Sequence, residues 1–265
     1  MIELGPVTVT VDSPSTRILT WSQAVERRGA REETTPLMLS IDVTDEVLQG
    51  PPTPESSVDN RLIRLAYHGW RAELSPSERR AHATLSLAGD AERRGPRRLQ
   101  SLLRVLAQTM LLPRGLGLHA AGLTKNGQGY AFIGPRGAGK TTLARAVPPA
   151  SRLGDDYVIA AQNDAGHWRL HPTPFSGREG LAAEASAAPL RAIAVLRQAT
   201  ETRAIRLSPS EAAARLVPSV VHAGQDRASQ EAALACIDAL VHAVPVVELA
   251  LTLGGPAIDA VEAAL

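Results

Sequence analysis

The chain has 265 residues, with 28 Lys and Arg against 27 Asp and Glu, a net charge of +1, 44% apolar residues and only 3% aromatics. That length suits one large or two small domains, the near-neutral charge excludes the strong field that gathers nucleic acid or an anionic membrane, and so few aromatics leave little stacking surface for single-stranded bases. A lone cysteine, Cys236, excludes an internal disulfide; with no basic, apolar leader and no apolar run near the about 18 residues of a membrane span, the expected setting is a reducing cytoplasm, with neither nucleic acid nor membrane as partner.

Taken in chain order, "PVTVTV" and "PLMLSIDV" carry β-forming residues and predict strands. "GPPTPESS" reads as a loop. "SPSERRA" offers Ser75 as an N-cap, Pro76 at N1 and Glu78 at N3, and predicts a short helix. Residues 1–95 are expected to form an N-terminal α+β segment for acceptor recognition or an interface, and residues 96–265 a second domain. In "RRLQSLLRVLAQTMLL", Leu99, Leu102, Leu103, Leu106 and Met110 fall at helical spacing, and Pro113 and Gly115 stop the helix. It would join the two segments.

"GLGLHAAGL", "TKNGQG" and "YAFIG" read as an antiparallel hairpin whose Asn126-Gly127 pair suits the positive φ angles of a tight turn. Its second strand runs into "GPRGAGKT", Gly134 to Thr141, which has the spacing of a phosphate-binding loop followed by the helix "KTTLARAV". Glycines at 134, 137 and 139 let backbone N–H groups converge on phosphate oxygens. Lys140 would reach the β- and γ-phosphates and Thr141 would ligate Mg²⁺, with the helix N-terminus facing the anion. The expected nucleotide-binding residues are Gly134, Arg136, Gly137, Ala138, Gly139, Lys140, Thr141 and Thr142. Lysine is otherwise rare: the chain has two, Lys125 and Lys140, beside 26 arginines. A Gly-rich turn without a ligand would leave Lys140 unexplained.

Asp155 and Asp156 follow Lys140 by 15 and 16 residues. "PASRLG" before them makes a poor strand, so the pair is expected after a loop. Two adjacent carboxylates near a metal-bound nucleotide can divide labour, one ligating the metal and one accepting a proton from an attacking hydroxyl; the alternative is a solvated "GDD" turn. Beyond them, "YVIAA" and "HWRLH" flank the turn "QNDAG", "LRAIAVLR" reads as a buried strand, and "SPSEAAARL" from Ser208 as a capped helix. "SQEAALACIDALVHAV" predicts a helix, "VVELAL" a strand and "AIDAVEAAL" a terminal helix. Alternating strands and helices give an α/β class. His167 and His171 are four apart on an expected strand with no nearby acid motif, and no G-x-S-x-G elbow occurs, so metal-hydrolase and serine-hydrolase chemistry are disfavoured.

His119 stands alone among apolar residues and on its own reads as a satisfied core or surface side chain more readily than as a catalyst. The ordered set "LHAAGL", hairpin, "GPRGAGKTT", "LGDDYVIA", with "HPTPFSG" and "PLRAIAVLRQ" after it, resembles the catalytic half of HPr kinase/phosphorylase and its shorter relatives, over residues 97–250. The resemblance implies a P-loop kinase core of the HPr kinase and phosphoenolpyruvate carboxykinase type. It implies Asp155 as the base for the acceptor hydroxyl, His119 beside it, Asp156 and Thr141 at Mg²⁺, and Lys140 on the phosphates of ATP or another NTP. Arg178 in "SGREG" would neutralise the transferred phosphate or be a solvated loop residue. The first 95 residues do not resemble the N-terminal domain of full-length HPr kinase/phosphorylase, which argues against HPr as substrate. The expected function is transfer of phosphoryl to a hydroxyl, a serine of a peptide or small protein, with a ribosomal peptide precursor such as a lasso peptide as one acceptor class. A regulatory nucleotide-binding module and a partner-stimulated NTPase stay open as alternatives, as does homo-oligomerisation.

Overall fold

Period-two alternation builds the first half of the chain. In the computed structural model, which describes all residues except 25–34, 52–53, 60–61, 176, 178–179, 182, 222–223, 225 and 253, it gives β1 (Ile2–Leu4), β2 (Val7–Asp12), β3 (Leu37–Thr44), β4 (Glu55–Asp59), β5 (Leu62–Tyr67), β6 (Trp70–Ser75) and β7 (Arg80–Ser86). These seven form one mixed sheet in the order β1-β2-β3-β7-β6-β5-β4. β3 lies parallel to both β2 and β7, and the other pairings are antiparallel. Leu37, Leu39 and Ile41 of β3 and Trp70, Ala72 and Leu74 of β6 are buried. Two helices, α1 (Thr16–Ala24) and α2 (Ala91–Leu111), complete the layer, α2 packing on β2, β6 and β7. Gly95 lets α2 approach α1: a Cβ there would stand 2.0 Å from the Trp21 ring.

Three expectations for this half need correction. Ser75 caps no helix: it ends β6, and residues 76–79 form a turn, with Arg79 at φ 51°, before β7 pairs back with Ser75 opposite Arg80. A capping signature is local, and here it lost to alternating apolar residues on both sides, which bury only if the chain reverses as a hairpin. The end of "GPPTPESS" is not loop, because Glu55–Ser57 belong to β4 (Pro52 and Thr53 lie outside the described residues). The helix predicted from 97 starts at Ala91, where Asp90 accepts the Arg93 N–H, and Pro96 is accommodated within it. The chain divides into one compact unit of Met1–Leu112 with Val221–Ala232 and another of Pro113–Val220 with Ala233–Leu265, so α2 counts with the first.

The second unit contains β8 (Gly115–Leu118), β9 (Ala120–Lys125), β10 (Gln128–Ile133), α3 (Lys140–Ala146), β11 (Arg152–Gly154), β12 (Val158–Gln162), β13 (Trp168–His171), β14 (Ala188–Gln198), β15 (Arg203–Arg206), α4 (Pro209–Leu216), β16 (Val246–Leu251) and α6 (Ala257–Glu262), together with most of α5 (Arg227–Ala243). Its nine strands form a second mixed sheet. The Asn126-Gly127 turn has φ 52° and 73°, as the hairpin required. "PASRLG", read as a loop, ends in the strand β11, which pairs with β9.

β8 and β9 run almost end to end, as do β11 and β12. β8 pairs with β12 and β9 with β11, in the same register on both sides of the gap: Leu118 faces Val158, and Gly122 faces Gly154. β12 then pairs with β13, β13 with β14, β14 with β10 and β10 with β9, so the pairings return to their start. Glycines allow the close approach inside this ring. A Cβ on Gly117 would stand 2.0 Å from the Tyr157 hydroxyl, and one on Gly122 would stand 2.8 Å from Val158. Elsewhere α3 and α6 pack on β9, β10, β14 and β16 through Ala144, Val261, Phe132, Leu196 and Leu249. Among the described residues no helix is long and apolar enough to cross a membrane. The class is mixed α/β, built on two mixed sheets.

Candidate functional site

Two features of the second unit carry the polar chemistry: the loop from β10 to α3, and the shared interruption of the β8–β9 and β11–β12 ribbon. In the loop, Gly134, Gly137 and Gly139 have φ angles of 152°, 85° and 109°. Such angles favour glycine. Gly134 also lacks room, since a Cβ would stand 3.0 Å from that of Ala138, whereas Gly137 and Gly139 face empty space. Arg136 and Thr142 are exposed, Thr141 is half-buried and Ala138 is buried.

Lys140, the first residue of α3, is 8% exposed. Its ammonium donates to the Gly134 carbonyl and, at 3.2 Å, to that of Pro135. Burial pushes its pKa below the usual lysine value, while the negative charge of Asp156 opposes the shift. Across the loop's tip, the Gln198 side-chain amide donates to the Gly137 carbonyl at 2.7 Å.

His119 occupies the gap between β8 and β9, not a strand as expected, and Asp155 and Asp156 occupy the gap between β11 and β12. The matched registers bring the gaps together, and the Ala120 N–H donates to the Asp156 carbonyl at 3.2 Å. The His119 N–H is held by the Ser219 carbonyl at 2.7 Å. His119 Nδ1 lies 3.2 Å from Asp156 Oδ1, with the histidine side chain 49% exposed and the aspartate 25%.

Asp155 is different. It is 2% exposed, and its Oδ1 accepts the Gly177 N–H at 2.9 Å. Its buried Oδ2 has no hydrogen-bond partner among the described residues. Burial, first, and the neighbouring Asp156 charge raise its pKa, against the Gly177 hydrogen bond and Arg152. A Cβ on Gly177 would meet Asp155 Oδ2 at 2.8 Å, so glycine is what admits this contact. The histidine expected beside Asp155 is thus beside Asp156. Arg178 lies outside the described residues. His171 is buried at the end of β13, with His167 in the preceding turn.

Sequence reasoning missed Gln198, Gly177 and Arg152, whose guanidinium holds the Ala144 and Val147 carbonyls at 2.7 Å each, at the end of α3. For Gln198 one signal was present: an amide closing the apolar run "IAVLRQ", on a strand able to lie beside the one that feeds the loop. Gly177 and Arg152 carried no such signal.

The loop has features a phosphate site would use: three glycines at positive φ, open space beside Gly137 and Gly139, and an ammonium that among the described residues is held by the Gly134 and Pro135 carbonyls. No three His, Cys, Asp or Glu side chains converge as a metal cage among the described residues. A magnesium ion taking most of its oxygens from phosphate and water needs none; the Thr141 hydroxyl suits it as a hard oxygen ligand, whereas the Asp156 carboxylate, expected at the metal, is engaged at Oδ1 by His119.

A protein-family profile described as "SynChlorMet cassette protein ScmC" matches residues 96–265. No curated protein matches the chain.

Proposed function

The chain belongs to the ScmC family of SynChlorMet cassette proteins, and from the site geometry we propose that it is an Mg-ATP-dependent phosphotransferase of the HPr-kinase-like type, acting on the hydroxyl of a serine in a peptide or small protein such as a lasso-peptide precursor. The single observation that most supports this is the His119–Asp156 pair, 3.2 Å apart, in the same compact unit as the glycine-rich loop and Lys140. Sensing a nucleotide needs the loop alone; moving phosphoryl to an alcohol also needs a group that can take the alcohol's proton.

When bound, Mg-ATP supplies the phosphoryl group and a metal charge on its oxygens. The chain does the rest. The loop N–H groups and the Lys140 ammonium bind the phosphates, the ammonium leaving the Gly134 and Pro135 carbonyls to do so. Thr141 serves the metal. Asp156 accepts the hydroxyl proton at its carboxylate, and His119 orients that carboxylate through Nδ1. Asp155, buried and tied to Gly177, positions the segment that follows rather than touching the acceptor. Catalysis is then mainly placement and charge neutralisation, as a loose phosphoryl-transfer transition state requires.

The test uses purified protein, Mg-ATP and a serine-containing precursor peptide, with phosphopeptide read by mass. Asp156→Asn should lower transfer by about 10²- to 10⁴-fold while nucleotide affinity is retained. Asp155→Asn should keep most of the transfer. It should also raise Tm at neutral pH, because Asn keeps the Gly177 hydrogen bond and removes a buried charge. The sign follows from linkage: a carboxyl with a raised folded pKa destabilises the fold at high pH, and the gain from Asn should vanish as pH falls towards the ordinary value of 3.8. Loss of transfer in Asp155→Asn with survival in Asp156→Asn would reverse the two roles. ATP turnover indifferent to every acceptor would favour the NTPase reading.

A further inference from the structure

We propose that Gln198 is a positioning residue of the phosphate loop: its side-chain amide fixes the Gly137 carbonyl and thereby sets the shape of the loop's tip before any ligand arrives. The inference rests on the nucleotide-binding part of the reading above.

Gln198 is the last residue of β14, and its backbone is well anchored. β14 lies parallel to β10, which feeds the loop, with Val195 opposite Ile133. On its other side it lies parallel to β16, with Gln198 opposite Leu251, and the Ala199 N–H donates to the Leu251 carbonyl at 3.1 Å. From this rigid base Nε2 reaches the Gly137 carbonyl at 2.7 Å. Gly137 itself has a φ of 85° and, among the described residues, empty space where a side chain would stand.

The other loop carbonyls are held differently, that of Gly139 by the Leu143 N–H of α3 at 2.9 Å. The Ala138 N–H donates to Pro135 at 3.2 Å, within the loop. The Lys140 ammonium holds Gly134 and Pro135. The lysine's bonds compete with its work on phosphate, because a charge that turns to a ligand releases the carbonyls it held. Gln198 has no such conflict. Its amide is neutral, comes from a strand rather than from the loop, and grips the far side of the tip. Binding then avoids the conformational ordering that a glycine-rich tip would otherwise incur.

The chemistry makes an asymmetric prediction. An alanine removes the donor. A glutamate of the same length sets an acceptor against a carbonyl and brings negative charge towards the phosphates, so it should be worse. Mg-ATP affinity of wild type, Gln198→Ala and Gln198→Glu is measured by calorimetry, with Tm and amide exchange across residues 134–141 alongside. We expect Gln198→Ala to weaken Mg-ATP by about 3- to 10-fold, the range of one lost hydrogen bond, and Gln198→Glu to weaken it further. Both should leave Tm unchanged and speed exchange at the loop tip, and in transfer assays the loss should appear in KM for ATP and not in KM for the peptide. Wild type that fails to bind Mg-ATP would sink the nucleotide reading and this inference with it. Wild type that binds, beside a Gln198→Ala that binds equally well, would overturn the inference alone. A fall in Tm without a change in affinity would make Gln198 a structural brace and also overturn it.

Discussion

Asp155 and Asp156 are neighbours of one chemical type, yet the fold gives them separate situations. One is almost fully buried, with an oxygen that has no hydrogen-bond partner among the described residues; the other keeps some exposure and a histidine. No spacing rule distinguishes them, because burial is decided by what packs above each, here Gly177 over Asp155. His171 shows the same control of environment over chemistry. Burial, reinforced by Arg169, pushes its pKa down from 6.5 to about 4. The unfolded chain therefore binds a proton that the folded chain refuses between those values. Stability contributed by the neutral ring is full above pH 6.5 and is lost as pH falls towards 4, by about 3 kcal/mol in all. Urea midpoints at pH 7.5, 5.5 and 4.5 should drop accordingly, and His171→Leu should flatten the profile. An unchanged slope in that variant would assign the acid sensitivity to other groups.

Among the elements, those with a complete local cause were legible. The Asn126-Gly127 turn and the Ser208 helix, with its full capping box to Glu211, formed as their residues require. The glycine-rich loop before α3 took the positive φ angles its glycines permit. The failures share one cause. "SPSERRA" carries the same kind of cap as the Ser208 helix, but apolar alternation in Trp70–Ser75 and Arg80–Ser86 made it a hairpin turn. β11 is three residues long and exists because β9 offers it a partner. The β8–β12 pairing depends on Gly117, whose absent Cβ leaves space for the Tyr157 hydroxyl. Gly117→Ala should lower stability by about 2–3 kcal/mol through overpacking, read from denaturant midpoints. It should also disturb the His119–Asp156 pair one residue beyond the strand. A neutral outcome would mean that Tyr157 can turn aside.

At the scale of the molecule, the sequence resemblance covers residues 97–250 and the family profile spans 96–265, whereas the first compact unit runs through Leu112. The difference is α2. Its Leu99, Leu102, Leu103 and Leu106 are buried, and the helix packs on β2, β6 and β7 of the first sheet. A chain cut to residues 96–265 would carry these leucines without their sheet, exposing groups whose burial is worth about 1.5–3 kcal/mol each. It should aggregate or unfold at lower temperature than one beginning at Pro113, by size exclusion and thermal melting. Equal behaviour of the two would place α2 with the second unit after all.

By itself the sequence determined the glycine-rich loop, its flanking strand and helix, the hairpin turn before it and the mixed α/β class, because each is settled by residues a few positions apart. Only the tertiary structure decided that His119 belongs to Asp156, that Asp155 is buried against Gly177, and that Gln198 grips Gly137. Those contacts join residues 37, 22 and 61 positions apart. They depend on which strands pair and in which register, a choice made by burial over the whole unit and written in no short stretch of it.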